Sequence, residues 1–142
     1  MDDQTLFETA HFIARQAPYR LPGYVILDSK AEVDDLAALA PDAAADLMHC
    51  LREAERIVRA LVTPERVYTL RFGEVQPRIH FHVVPRTPRV AEAYTAKIDD
   101  PAPHNGARLV DWLWEHHADL GFSDDDLGAF VTQAKALAQS AG

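Results

Sequence analysis

The most regular pattern along the chain lies between Pro41 and Thr63. Leu47, Leu51, Ala54, Val58 and Leu61 recur at steps of four, three, four and three, with Met48 and Ile57 beside them. This spacing aligns them as one apolar stripe of an amphipathic helix. Pro41 suits a first helical turn and Asp42 complements the dipole there, while Thr63-Pro64 ends the run because proline cannot continue a helix. Upstream, Leu21-Pro22-Gly23 punctuates, and Tyr24-Val25-Ile26-Leu27 is a short apolar run suited to a buried strand. Arg66 to Phe72 and Ile79 to Val84 predict two strands joined by a loop carrying Gly73 and Pro77. Ala10 to Gln16 fits helix and strand equally, and residues 1–9 read as a short cap. The polar, proline-bearing stretch from Pro85 to about Asn105 is expected as a surface loop. Two helices close the chain. Leu109, Trp112, Leu113 and His116 share a face before Gly121, and Ser123 with Asp126 forms a capping box ahead of Leu127, Phe130, Val131 and Ala134. Strand pair, long helix, strand pair and helical tail together predict an α+β domain, an antiparallel sheet with helices against it.

Composition narrows the possibilities. At 142 residues, 48% hydrophobic and 25% charged, the chain suits a single folded domain and not a disordered one. No apolar run approaches the roughly 20 residues that cross a bilayer, so no membrane partner is expected. The acidic start, Met1-Asp2-Asp3, is unlike a secretory leader, and the single cysteine, Cys50, precludes an internal disulfide and a thiolate-rich zinc site. A reducing, cytoplasmic compartment is the expectation. With 14 basic against 22 acidic residues the formal net charge is −8, which argues against a partner that is a nucleic-acid polymer. A small anionic substrate would need its own cluster of positive groups.

Chemistry concentrates in Gln76-Pro77-Arg78-Ile79-His80-Phe81-His82-Val83-Val84-Pro85-Arg86. On a strand, Ile79, Phe81 and Val83 point one way into apolar packing, and Arg78, His80 and His82 point the other. Such a row can bind a phosphate through charge-assisted hydrogen bonds, and a neutral imidazole within it can attack phosphorus. Two alternatives stand beside this. The histidines are half-buried sheet residues with satisfied hydrogen bonds, or they form a metal clip completed by His11, His104, His116 or Glu32. An adjoining arginine argues against a cation at that spot.

The segment resembles the signature of the histidine triad (HIT) family, alternating histidines with apolar residues between them, followed by Pro-Arg. Tyr24 to Lys30, Val33-Asp34-Asp35-Leu36, the long helix, Pro64-Glu65-Arg66-Val67 and Gly73 follow in the family's order and spacing, so the similarity covers roughly Ala10 to Arg86. It implies a five-stranded antiparallel sheet with a long packed helix, with Ala10 to Gln16 as a strand. It further implies a HIT-like domain over residues 1–105, a C-terminal helical extension over 106–142 packed on the same domain, and a homodimer. The implied chemistry is hydrolysis or transfer at the α-phosphate of a nucleotide derivative, a nucleotide-type small molecule, without a cofactor or metal. His80 would be the nucleophile that forms a nucleotidyl-histidine, and His82 would contact the phosphate and aid departure of the leaving group. Arg78, Gln76 and Glu74 would bind the phosphate, with Glu32 and Arg86 at the periphery.

This sequence departs from the family's pattern at several of those positions. Arg78 replaces the first histidine of the triad, Glu32 falls where a fourth histidine is common, and Glu74 stands where Asn or Gln is frequent. The acidic residue that holds the ribose has no evident counterpart, Gln16 being the candidate. Added carboxylates would repel a polyphosphate, so a catalytically weak nucleotide- or phosphate-binding protein on the same fold is the alternative expectation. Arg71 and Arg86 are further sources of positive charge, whereas Arg89 reads as solvated surface. Cys50 reads as a structural helix residue, His49 as solvent-facing, His116-His117 as unable to share a ligand, and Trp112 and Trp114 as core or dimer-contact residues.

Overall fold

In the computed structural model, which describes residues 4–140, five strands form one antiparallel sheet: β1 (Thr5–Glu8), β2 (Phe12–Gln16), β3 (Val25–Ser29), β4 (Arg66–Leu70) and β5 (His80–Arg86). Their spatial order is β1-β2-β3-β5-β4, so β5 lies between β3 and the edge strand β4. Four helices accompany the sheet: α1 (Pro41–Val62), α2 (Pro88–Thr95), α3 (Gly106–His116) and α4 (Asp124–Ser140). The α+β expectation and the five-stranded antiparallel sheet are both observed.

Both faces of the sheet are covered, which explains why Tyr24–Leu27 is apolar without alternation. Val25, Leu27 and Val83 pack on one side with Phe12 and Ala14, against Leu47, Cys50, Ala54, Ile57 and Val58 of α1 and Phe130, Val131 and Ala134 of α4. Tyr24, Ile26 and Val84 face the other way, into a second core with Val90 and Tyr94 of α2 and Leu109, Trp112 and Leu113 of α3. The α1 stripe is therefore the one the period-3.6 pattern anticipated, with Cys50 fully buried in it. The capping box is also present: Asp126 N–H donates to Ser123 Oγ, and Ser123 N–H to an Asp126 carboxylate oxygen.

Two expectations need correction. Residues 5–8 form β1, paired with β2 through a register irregularity between Thr5 and Phe7, instead of a loose cap. The expected loop after Pro85 contains α2, opened by Thr87, whose hydroxyl accepts from Val90 N–H, and by Pro88 at its first turn. The buried residues Val90, Ala91 and Tyr94 already carry a helical spacing in the sequence. Arg89 is exposed, as expected, and its guanidinium lies over the Phe122 ring and donates to the Leu120 carbonyl.

The β2–β3 turn aims the strand that carries half of the site. Gln16 is buried, accepts from Gly23 N–H at 3.0 Å and donates to the Leu21 carbonyl at 2.9 Å. Its amide braces that turn, so Gln16 is not free to hold a ribose. Gly23 sits at φ +92°, where a side chain is strained, and a Cβ there would lie 3.2 Å from Val62 at the end of α1.

Candidate active site

The antiparallel register brings the polar residues of the second face together. Asp28 of β3 lies opposite His80 of β5, and Ile26 lies opposite His82, so His80 and His82 share one surface of the sheet with Asp28 and Tyr24. This is the alternation the sequence implies, with Ile79 and Val83 buried on the other side.

Each histidine is held by its Nδ1. His80 Nδ1 is 2.5 Å from Asp28 Oδ1, and the other carboxylate oxygen of Asp28 accepts from Arg15 Nε at 3.0 Å. Burial alone would raise the Asp28 pKa. Hydrogen bonds from His80 and Arg15, together with their charges, outweigh it and hold the carboxyl below its ordinary value. An ionised Asp28 accepts and cannot donate, so the proton on that ring edge belongs to His80. In the neutral ring, Nε2 is then the lone-pair nitrogen.

His82 has different surroundings. Its Nδ1 is 2.5 Å from the Tyr24 hydroxyl, which accepts from Trp114 Nε1–H at 2.8 Å. Burial, reinforced by the charges of His80 and Arg15 and partly opposed by Asp28, pushes the His82 pKa down to about 4. At neutral pH this ring is uncharged. The two rings meet edge to face with centroids 4.8 Å apart.

In front of them opens a cavity of about 350 Å³ lined by Tyr19, Phe72, Gly73, Glu74, Val75, Gln76, His80, His82 and Trp114. Phe72 and Val75 are strongly exposed, and Phe72 meets Trp114 edge to face at 6.1 Å. Both aromatic residues also border a second, mostly apolar hollow of about 360 Å³ over β4, with Tyr68, Leu70 and Val110.

Glu74 and Gln76, expected at the phosphate, line the cavity, but Arg78 does not. β5 begins only at His80, so the strand alternation does not extend to Arg78. Its guanidinium donates to the Lys30 carbonyl at 2.9 Å and to Glu32 at 3.3 Å. Glu32 is thereby paired outside the cavity, and Tyr24 occupies the place beside His82. Arg86 stands six residues along β5 from His80, about 20 Å away on a strand, paired with Glu65 and over the Tyr68 ring. Arg86 is therefore not peripheral to this site. The candidate third ligands of a metal clip are also dispersed. His11 meets Asp42, His104 the Asp100 carbonyl, and His116 Asp119, and no group of three or more His, Cys, Asp or Glu among the described residues is arranged to hold a metal ion. Asp28, Arg15 and Tyr24 were not expected at the site from the sequence, and Trp114, expected in the core or at a dimer contact, instead lines the cavity and donates to Tyr24. A polar Asp28 closing an apolar β3, one strand step past the buried run, was the available signal.

Three solved structures share this architecture. A hypothetical histidine triad nucleotide-binding protein from Sulfolobus tokodaii superposes with a TM-score of 0.64 at 13% identity, over 96% of this chain and 84% of that one. A Hit-like protein involved in cell-cycle regulation from Bartonella henselae gives 0.61 at 12% identity, over 96% and 88%. A zinc-bound histidine triad family protein from Mycobacterium smegmatis gives 0.60 at 18% identity, over 100% and 90%. The chain has the histidine triad fold. No protein-family model and no curated protein matches the sequence. Within the histidine triad fold this chain is a divergent example, with Arg78 leading the pair of histidines and a carboxylate, Asp28, bound to His80. Among the described residues no helix is long and apolar enough to cross a membrane.

Proposed function

We propose that the chain is a nucleotidyl hydrolase or transferase that acts at the α-phosphate of a nucleotide derivative through a covalent intermediate on His80. The observation that carries this reading is the Asp28–His80 pair at the edge of the cavity. Asp28 takes the Nδ1–H, which directs the free lone pair of the ring to Nε2, and a negative carboxylate stabilises the positive charge that ring acquires on attack. Arg15 fixes the carboxylate in turn.

In the first step His80 Nε2 attacks phosphorus and a P–N bond forms. The bond to the leaving group breaks, and that group departs with the electron pair and takes up a proton from solvent. His82 contributes a hydrogen bond to the phosphate oxygens. In the second step a water oxygen attacks phosphorus, the P–N electron pair returns to His80, and the water proton passes to bulk. Transfer replaces that water with another acceptor. Phe72 and Trp114 supply flat apolar surface for a base. By the same chemistry the partner is a nucleotide-type small molecule.

Glu74 favours the second reading, a catalytically weak binder, because it brings a carboxylate and no arginine to the cavity wall. Turnover of a panel of adenosine and guanosine derivatives (dinucleoside polyphosphates, phosphoramidates and sulfated nucleotides) separates the two. The enzyme reading predicts release of a nucleoside monophosphate by the wild type and its loss in His80→Ala. Saturable binding without turnover supports the binder, and near-normal activity in His80→Ala removes the nucleophile assignment.

A further inference from the structure

The hydrogen-bond chain behind His82 has a direction that its geometry determines. Trp114 Nε1 is a donor only, so the Tyr24 oxygen is the acceptor in the 2.8 Å contact between them. Tyr24 is completely buried, and its hydroxyl has one other partner among the described residues, His82 Nδ1. Were His82 Nδ1 protonated, two donors would face the same oxygen and the tyrosine proton would be buried without an acceptor, which is unfavourable. Tyr24 therefore donates to Nδ1. Burial is the main influence that raises the Tyr24 pKa, so the proton stays on its hydroxyl across ordinary pH. A neutral His82 with an accepting Nδ1 carries its hydrogen on Nε2.

We propose that Tyr24 and Trp114 are positioning residues that lock His82 as a neutral ring protonated on Nε2, so that it presents a hydrogen-bond donor to a phosphate held beside His80. The inference deepens the functional reading above and rests on it for the role of that donor. The tautomer itself does not depend on any activity. The two histidines thereby become opposites although they are neighbours on one strand. Asp28 turns His80 into an acceptor at Nε2, and Tyr24 turns His82 into a donor at the same atom. An attacking nitrogen and an oxygen-binding N–H are what one phosphorus centre needs, and two identical tautomers would supply only one of them. Trp114 belongs to α3, so the C-terminal helical region reaches the chemistry through this indole.

The groups facing His82 are Asp28 and Tyr24 from β3, Arg15 from β2, Tyr19 from the β2–β3 turn, His80 on its own strand and Glu74 across the cavity. β4 and α3 present Leu70 and Trp114, neither of which titrates. Tyr24→Phe thus removes the hydroxyl and leaves every charge in place.

The test is a nitrogen-15 NMR titration of histidine-labelled protein, with Tyr24→Phe and Trp114→Phe alongside the wild type. Wild-type His82 is expected to show the Nε2-protonated pattern at neutral pH and to stay neutral well below the ordinary histidine range. Tyr24→Phe is expected to give a mixture of tautomers and an upward-shifted titration midpoint, with kcat reduced more than KM is changed. Trp114→Phe, which frees the tyrosine oxygen to accept, is expected to give a weaker change in the same direction, and it serves if Tyr24→Phe does not fold. An Nδ1-protonated His82 in the wild type, or the wild-type tautomer retained in both variants, overturns the proposal. If no nucleotide is turned over but the tautomer pattern is as expected, the lock stands and the functional reading falls.

Discussion

At the scale of single residues, the site depends on two ring nitrogens, one held by the half-buried Asp28 and the other by the buried Tyr24. Asp28 is the decisive one, because its carboxylate orients His80 and, in the proposed mechanism, would balance the charge of a phosphorus–nitrogen adduct. Asp28→Asn keeps the size and removes the charge, leaving Arg15 without its counterion. The expected outcome is a loss of kcat on the order of 100-fold, with KM changed much less, read by steady-state kinetics on whichever nucleotide is turned over. A kcat at the wild-type level would remove Asp28 from the mechanism. The residues on the signature strand, His80 and His82, were legible because alternation along β5 is a strict period of two. Asp28, Arg15, Tyr24 and Trp114 were not, because each reaches its histidine across strand pairing or from a helix, and a single sequence carries no register. Arg78 failed for a local reason: Pro77 and the bend before Ile79 keep it outside the strand, where Lys30 and Glu32 engage it.

At the scale of elements, the site is aimed by the turn that starts β3. Gln16 fastens this turn from β2, and Gly23 passes against Val62 with a backbone that a side chain disfavours. Gly23→Ala is expected to destabilise the fold by at least about 1–2 kcal/mol from backbone strain alone, measured as a lowered midpoint in chemical denaturation. An unchanged midpoint would mean that the turn relaxes freely and does not hold β3 in place. The helices show where sequence patterns suffice. α1 could be read directly because its stripe is long and regular, whereas α2 has only eight residues and lies among prolines and charges that resemble a loop. β1 is shorter still, and only its pairing with β2 makes it a strand.

At the scale of the whole molecule, the sheet is covered on both faces, by α1 and α4 on one side and by α2 and α3 on the other, and His80 and His82 reach the cavity on the second face. The cavity there is lined by aromatic side chains, two imidazoles, Gln76 and one carboxylate, so in the proposed function phosphate recognition would rest on imidazoles instead of arginines. Cys50, by contrast, is sealed beneath α1 with its thiol pushed up to about 11, mainly by burial, and takes no part. Every step of the proposed chemistry turns on a bond between His80 Nε2 and phosphorus. Rapid quenching under conditions that preserve an acid-labile P–N bond, followed by residue-level mass mapping, tests it most directly. The prediction is a nucleotidyl group on His80 in the wild type, absent from His80→Ala and accumulated in a variant slowed at the water step. A nucleotide label on His82, or turnover with no covalent species at any time point, would contradict it.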